Sequence, residues 1–431
     1  MLKRITNSHL AKKTTGTFGL KILLVGLSFI TSIVLARLLS VDGYGIYAYV
    51  LAWVSVLQIP SSLGLQSILV RDVMAYQSNS EPALVRGLLR WSNRLALWVS
   101  IAIALASAAV AWLVVDDHSS MEMWAFIVAL TSLPLLSLTA LRQGAMRGFN
   151  YVVLGQLPEN LIQPAILLLL LLCSYFAFDG DVSPLFAIGL RVFAIGVSFV
   201  VGAVLLGRVL PASTKIVDPK YDARQWTKSV FPFLLISCTH VINNRTDSLM
   251  LGSIEGAASV GIYLVASKGA ELTSFILVAI NRSIGPAIAK LHATDNLDQL
   301  QALVTKSTRT SFAVSLPVSL GLILFGRWFL WLFGTDFLAG YSALVILTVG
   351  QLINTASGSV GLMLDMTGHE KISATGIGIS ALLNIALNFV LIPRYGIEGA
   401  AIATASSYIF WNVFLVIQAR RIVGIRSTIF G

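Results

Sequence analysis

The chain of 431 residues is 56% apolar and only 12% charged, and its mean hydropathy is +0.82. A soluble protein of this length needs far more charge to cover its surface, so the composition indicates an integral membrane protein. The two cysteines, Cys173 and Cys238, lie inside apolar runs and indicate neither a disulfide framework nor a thiolate metal site. The net charge of +10 is spread over many loops, which argues against nucleic-acid binding.

Apolar runs alternate with charged or turn-rich breaks along the whole chain. A helix that crosses the hydrocarbon core needs about 20 mostly apolar residues. We predict about twelve such helices, at residues 15–38, 44–70, 91–115, 122–143, 151–177, 184–207, 229–252, 257–281, 309–333, 341–366, 372–392 and 398–418. The first run is a full span long and lacks a small-residue cleavage site, so we interpret it as a membrane helix rather than a signal peptide.

The basic residues of the loops fall almost entirely on one side of this topology. Only Arg37 and Arg394 lie on the other side. By the positive-inside rule, the basic side is cytoplasmic, and both termini lie there. We therefore expect a multi-pass protein of a bacterial cytoplasmic (inner) membrane. The residues on the basic side are Lys3, Arg4, Lys12, Lys13, Arg71, Arg86, Arg90, Arg94, Arg142, Arg147, Arg208, Lys215, Lys220, Arg224, Lys228, Arg282, Lys290, Lys306, Arg309, Lys371, Arg420, Arg421 and Arg426.

A long polar connection divides the chain near its middle. It predicts an N-terminal six-helix lobe at 1–207, a cytoplasmic linker at 208–228 and a C-terminal six-helix lobe at 229–431. The tripeptide Gly-Ile-Tyr opens both the second span, from Gly45, and the eighth, from Gly261, half a chain length apart. An even number of spans in each half indicates parallel repeats, an arrangement that suits an alternating-access carrier with a central cavity.

Several charged or amide side chains lie inside the predicted spans. Charge at membrane depth is costly and normally faces a wet cavity or a partner. A guanidinium or ammonium group can bind phosphate oxygens, so these residues are candidate substrate contacts. Alternative roles without a substrate are an ion pair between Lys268 and Glu271, polar contacts between helices, and snorkelling of the side chain to the headgroups. The candidate substrate-binding residues are Arg245, Lys268, Lys21, Arg191, Asn243 and Asn244, whereas Arg327 is expected to be an interface anchor.

Four acidic residues within spans are candidates for binding a coupling ion, either Na+ or a proton. They are Asp247, Glu271, Glu159 and Asp365. Glu159 and Asp365 could instead satisfy a neighbouring helix end, and Asp247 could neutralise Arg245. The five histidines lack the spacing of metal ligands, so we expect no metal site and no cofactor beyond the coupling ion.

Three segments carry a resemblance to polysaccharide biosynthesis proteins of the Wzx type. They are Leu35–Tyr47 (LARLLSVDGYGIY), Ser62–Leu65 with Arg71, and Tyr395–Ile402 (YGIEGAAI). The resemblance implies a flippase of the superfamily that includes the MATE multidrug exporters and the lipid II flippase. It also implies a V-shaped all-α bundle and transport of undecaprenyl-pyrophosphate-linked oligosaccharide between leaflets. The chain has no room for the two extra helices that form a lipid groove in the lipid II flippase.

Residues and resemblance together favour an ion-coupled flippase for lipid-linked oligosaccharide rather than an enzyme. It would serve O-antigen, lipopolysaccharide or exopolysaccharide synthesis, and polysaccharide polymerase and assembly proteins are its expected partners. A MATE-like multidrug cation antiporter is an alternative, favoured if Asp247 and Glu271 face a cavity while Arg245 and Lys268 point away. A non-transporting scaffold of an export complex is a second alternative. A membrane glycosyltransferase or polymerase is a third, although the sequence has no long extracytoplasmic loop with paired acids.

Overall fold

The computed structural model describes the backbone of residues 2–116, 118–177 and 182–431, and the side chains of residues 24–116, 118–177, 182–234 and 245–431. Within these ranges the chain is helical, with no strand. A π-helical turn, Pro158–Ile162, and a 3-10 turn, Thr335–Gly340, interrupt the α-helices. The α-helices are α1 Leu2–Ser62, α2 Leu65–Ser78, α3 Pro82–Val114, α4 Met121–Leu130, α5 Ser132–Gly148, α6 Val152–Leu157, α7 Gln163–Ala177, α8 Pro184–Val209, α9 Ala212–Ile216, α10 Ala223–Glu255, α11 Ala257–Ala293, α12 Leu297–Trp331, α13 Tyr341–Ser357, α14 Val360–Met366 and α15 Glu370–Ile422.

Nine helical segments in the described part of the chain are long and apolar enough to cross a membrane. Two of them contain a backbone break, at Ser40 (φ 59°) in α1 and at Gly396 (φ 53°) in α15. Two others join separate helices: Met121–Gly148 contains α4 and α5, and Val152–Ala177 contains α6 and α7. Helix α10 is also long, with 33 residues, but side chains in its middle lie outside the described residues. The predicted all-α polytopic fold is confirmed, whereas the number of twelve spans stays a prediction.

Proline and glycine account for two departures from the predicted spans. The predicted span 44–70 ends at Ser62, and Gly64 in a left-handed conformation (φ 66°) precedes the separate helix α2. Pro158 opens the π-helical turn within the predicted span 151–177. Proline cannot donate the backbone hydrogen bond that a regular helix requires, so it favours such local rearrangements.

The chain forms two compact units. Unit 1 combines the first helix up to Leu39 with Trp53–Cys238, and unit 2 combines Ser40–Ala52 with Thr239–Gly431. The core of unit 1 is built from helices α2, α3 and α5 together with Trp226 at the start of α10. The core of unit 2 is built mainly from α11, α12, α14 and the end of α15. A short piece of α1 therefore belongs to the unit formed by the second half of the sequence.

The segment predicted as a linker, residues 208–228, packs firmly against helices α2 and α3 inside unit 1. The Trp226 ring is fully buried 5.3 Å from that of Trp91, and its Nε1 donates a hydrogen bond of 3.0 Å to the Tyr76 hydroxyl. Burial raises the pKa of Tyr76, which keeps this phenol protonated. Arg86 Nη1 also donates to the backbone oxygen of Val217. The segment is thus a folded part of unit 1.

Candidate functional site

An oxygen-rich cluster surrounds Asp247 of α10 inside unit 2. Oδ2 of Asp247 accepts hydrogen bonds from the hydroxyls of Tyr263 (2.8 Å) and Thr404 (2.6 Å). Oδ1 of Asp247 accepts one of 2.6 Å from Nδ2 of Asn388. Helices α10, α11 and both parts of α15 place these groups, and Tyr263 is the last residue of the repeated Gly-Ile-Tyr tripeptide. Asp247 is therefore held by three donors from two other helices.

The cluster contains an acceptor oxygen that no described hydrogen-bond donor satisfies. Oδ1 of Asn388 is buried and has no hydrogen-bond partner among the residues that the structure describes. Oδ1 of Asn384, one helical turn earlier, lies 3.0 Å from Nδ2 of Asn388. Carboxylate, amide and hydroxyl oxygens are the ligands that a small hard cation prefers, and an unpaired buried acceptor is energetically costly without one. The oxygen atoms around Asp247 are therefore suitable ligands for the coupling cation that the sequence predicts there.

A second charged cluster in unit 2 contains three predicted site residues. Lys268 and Arg245 are half-buried, and both interact electrostatically with the carboxylate of Glu271. Nζ of Lys268 also donates to the hydroxyl of Tyr44 at 3.3 Å. Arg245 and Asp247 are two residues apart on one helix and so point to different faces of it. The structure therefore assigns Asp247 to the oxygen-rich cluster and Arg245 to the surroundings of Glu271.

In unit 1, Glu159 forms an ion pair with Arg142, whose Nη2 lies 2.9 Å from Oε1 of the carboxylate. The arginine side chain is 3% exposed, and its Nη1 donates to the backbone oxygens of Ser198 and Phe199. Glu159 belongs to the π-helical turn, which changes the direction of its side chain relative to a regular helix. The predicted ion-coupling acid Glu159 is therefore bonded to a buried cation.

The sequence-based assignment of Arg142 to a cytoplasmic loop is wrong. Arg142 lies inside α5 and is 4% exposed. A side chain at Gly202 of α8 would overlap its guanidinium group, so the absence of a Cβ there makes room for the arginine. The basic residue lies near the end of its span, where a count of loop charges cannot distinguish a loop arginine from a buried one.

Two of the remaining predicted site residues, Arg191 and Asp365, have side chains that the structure describes. Arg191 is half-buried on α8 of unit 1. Asp365 is exposed on α14, where its carboxylate accepts a hydrogen bond from the side chain of Ser373. The side chains of Lys21, Asn243 and Asn244 lie outside the described residues.

Two family models match the chain. The model of the polysaccharide biosynthesis protein family matches residues 10–292, which is more than half of the sequence. The MatE model matches residues 232–390, which contain Asp247 and Asn388 of the oxygen-rich cluster and the charged residues of the second cluster, but not Thr404.

Curated relatives match over shorter segments. The "Probable low-salt glycan biosynthesis flippase Agl15" of Haloferax volcanii is 26% identical over 38% of this chain and 34% of its own length. The "Probable flippase AglR" of the same organism is 30% identical over 39% of this chain and 36% of its own length. The match therefore spans about a third of the length of each relative.

Solved structures with the same fold cover nearly the whole chain. An inward-facing multidrug resistance MATE family transporter of the MOP superfamily has a TM-score of 0.76 at 14% identity, over 93% of this chain and 94% of its own. The lipid II flippase MurJ, in an inward closed conformation, has a TM-score of 0.71 at 16% identity, over 93% and 86% of the two chains. An outward-facing MATE transporter has a TM-score of 0.60 at 15% identity, over 93% and 95%. At these identities the likeness establishes the fold.

Proposed function

Because the chain belongs to the polysaccharide biosynthesis protein family, we propose that it is a flippase that moves a lipid-linked oligosaccharide across a bacterial cytoplasmic (inner) membrane. The proposed substrate is an undecaprenyl-pyrophosphate-linked oligosaccharide, and both termini are cytoplasmic. Two relatives with flippase names and the fold shared with the lipid II flippase support the activity. Polysaccharide polymerase and assembly proteins are the partners that would use the exported oligosaccharide. The chain acts as a transporter and not as an enzyme in this proposal.

The observation that carries the proposal is the pair of clusters on the two faces of α10. Asp247 on one face lies among hydroxyl and amide oxygens, and Arg245 on the other face lies near Glu271. A cation or proton taken up at Asp247 would compete with the hydrogen bonds that tie α10 to α11 and α15. The uptake would therefore change the packing of the helix that also carries Arg245. This geometry can link ion binding to substrate binding.

The second cluster supplies the contact with the substrate. A pyrophosphate carries several negative charges and accepts hydrogen bonds from guanidinium and ammonium groups. Arg245 and Lys268 both interact electrostatically with the carboxylate of Glu271, so two cationic groups lie near one anion. In the proposed cycle the pyrophosphate takes the place of Glu271 as their anionic partner. The polyprenyl tail stays in the lipid throughout. Alternating access is supported by MATE transporters of this fold described in both inward-facing and outward-facing conformations.

The proposal is tested with the full-length protein in proteoliposomes. Transfer of radiolabelled undecaprenyl-pyrophosphate-linked oligosaccharide to the outer leaflet is measured with an added glycosidase that cleaves only accessible oligosaccharide. We expect transfer to depend on the protein, to increase with an imposed Na+ or proton gradient, and to be lost in Asp247→Asn. Transfer equal to that of empty liposomes would refute the flippase activity, and transfer indifferent to both gradients would refute the coupling.

A multidrug cation antiporter is the second candidate, because the MatE model matches the segment that contains all four charged residues of the two clusters. Glu271 is exposed and could bind an organic cation. The nearby Arg245 and Lys268 would repel such a substrate, which is why we prefer the anionic lipid. Export of ethidium by cells that produce the protein, abolished in Glu271→Gln, would favour the antiporter.

A further inference from the structure

A cavity of about 370 Å³ lies in unit 1 between helices α3, α5 and α8, apart from both clusters of unit 2. Its walls are mostly aliphatic, with Leu97 of α3, Leu138 of α5 and Leu206 of α8 among them. Asn93, Arg94 and Arg142 are the polar lining residues. The volume lies in the range of about 300–1,000 Å³ that is typical of sites for small organic ligands. The cavity therefore combines apolar walls with a few positively charged or amide groups.

The charge of the cavity is positive. None of the described residues that line it is acidic. Arg94 is exposed and forms no ion pair with any residue whose side chain the structure describes. Arg142 is buried and keeps Nε without a hydrogen-bond partner among the described residues, although its other nitrogens bond to Glu159 and to backbone oxygens. A negatively charged ligand is the complement of this lining.

The position of the cavity along the helices identifies the kind of anion. Arg86, Arg90 and Arg94 lie along the first turns of α3, at the end that the positive-inside rule assigns to the cytoplasm. Gly207 of α8 also lines the cavity, and α8 ends two residues later, at Val209. The cavity thus lies at the level of the cytoplasmic headgroups, where acidic lipids are found and where basic pockets between helices bind their head groups.

We propose that this cavity is a binding site for an anionic glycerophospholipid of the cytoplasmic leaflet. The phosphate accepts hydrogen bonds from Arg94 and Asn93, and one acyl chain lies along the aliphatic walls of α5 and α8. The lipid is a resident of unit 1 and not the transported substrate. The site is therefore independent of the function proposed above, and its test does not use transport.

The test measures lipids bound to the purified full-length protein by native mass spectrometry in detergent. The probes are dioleoylphosphatidylglycerol and dioleoylphosphatidylcholine, added in equal amounts. We expect wild type to retain phosphatidylglycerol preferentially. Arg94→Gln should weaken its retention about tenfold, since a charge-assisted hydrogen bond contributes that much or more to binding. Arg90→Gln, one turn away and outside the lining, should retain the lipid as wild type does.

A second pair of variants tests the cavity itself. A Cβ at Gly207 or at Gly189 of α8 meets nothing within 4 Å, but only Gly207 lines the cavity. Gly207→Leu should abolish retention of phosphatidylglycerol, and Gly189→Leu should leave it unchanged, with thermal transitions showing that both proteins are folded.

Three outcomes would overturn the proposal. If Arg90→Gln and Arg94→Gln lost retention of phosphatidylglycerol equally, the lipid would be attracted to basic residues in general and not to this cavity. Equal retention of both lipids by wild type would indicate an apolar surface without headgroup recognition. Displacement of phosphatidylglycerol by an equal amount of undecaprenyl phosphate would make the cavity a substrate site.

Discussion

Gly45 and Gly261, the first residues of the two Gly-Ile-Tyr tripeptides, pack directly against each other in unit 2. A Cβ built on Gly261 would lie 3.0 Å from the backbone nitrogen of Gly45. A Cβ on Gly45 would overlap the carbonyl oxygen of Ala257. The sequence repeat is therefore a contact in space, in which two equivalent helix segments approach closely because neither carries a side chain at this point.

This contact predicts a strong effect of a single methyl group. We expect Gly45→Ala to destabilise the protein by about 1–3 kcal/mol, the usual cost of overpacking, because the methyl group meets backbone atoms that cannot rotate away. The measurement is the thermal transition of the purified protein in detergent. Gly189→Ala on α8 is the control, since its Cβ enters open space. Equal transitions for the two variants would contradict the packing described here.

The ion pair between Arg142 and Glu159 predicts non-additive effects on stability. Removing one partner of a buried pair leaves an uncompensated charge and typically costs about 3–5 kcal/mol, whereas replacing both with apolar residues is often tolerated. We expect Arg142→Met or Glu159→Leu alone to lower the thermal transition more than the double variant does. Additive losses in this cycle would mean that the two side chains do not interact.

The oxygen-rich cluster predicts that Na+ stabilises the protein through Asp247. A ligand that binds only the folded state at 100 times its dissociation constant adds about 2.7 kcal/mol of stability. We therefore expect the thermal transition to rise when NaCl replaces choline chloride at constant ionic strength. The rise should be absent in Asp247→Asn.

Asp365→Asn is the matched control for this experiment, because Asp365 is bonded to Ser373 and takes no part in the cluster. A rise that persists in Asp247→Asn but disappears in Asp365→Asn would place the cation elsewhere. A pH response that disappears in Asp247→Asn, in a protein that does not respond to Na+, would identify the proton as the ion bound at Asp247.

The second cluster predicts a loss of transport without a loss of protein. We expect Arg245→Ala and Lys268→Ala to reach wild-type levels in the membrane but to restore no surface polysaccharide in cells that lack the wild-type gene. Arg327→Ala should restore it fully, since this arginine lies over the Tyr341 ring, 5.3 Å from its centroid, and outside the cluster. Wild-type polysaccharide in both Arg245→Ala and Lys268→Ala would remove these residues from the substrate site.

The sequence predicted the all-α membrane fold because hydropathy and loop charge report directly on which segments can lie in a bilayer. It also singled out Asp247, Arg245, Lys268 and Glu271, since a charge inside a span is costly and therefore conspicuous. It grouped Arg245 with Asp247, whereas the structure places Arg245 near Glu271. It missed the partners of Asp247, because neutral polar residues such as Asn388 and Thr404 carry no charge and commonly form contacts between membrane helices. The spacing of Asn384 and Asn388, one helical turn apart, was the sequence signal that could have indicated a polar helix face here.

The sequence analysis also did not predict the π-helical turn or the packing of residues 208–228. A π turn differs from a regular helix by one hydrogen-bond register, and only Pro158 indicated it. Residues 208–228 are polar, so composition predicted a loose linker. Trp226 and Arg86 show that a polar segment is held by specific contacts that no compositional rule detects.

The assignment of Ser40–Ala52 to unit 2 has a consequence for dissecting the protein. Expressing the second half of the gene alone, from a start within residues 208–228, would produce a polypeptide that lacks this stretch. The surface of α11 around Gly261 would then lose the neighbour that covers it. Either half expressed separately should therefore be unstable, whereas co-expression of both fragments should restore the stability of each. The internal duplication of the sequence is thus not a pair of self-sufficient folding modules.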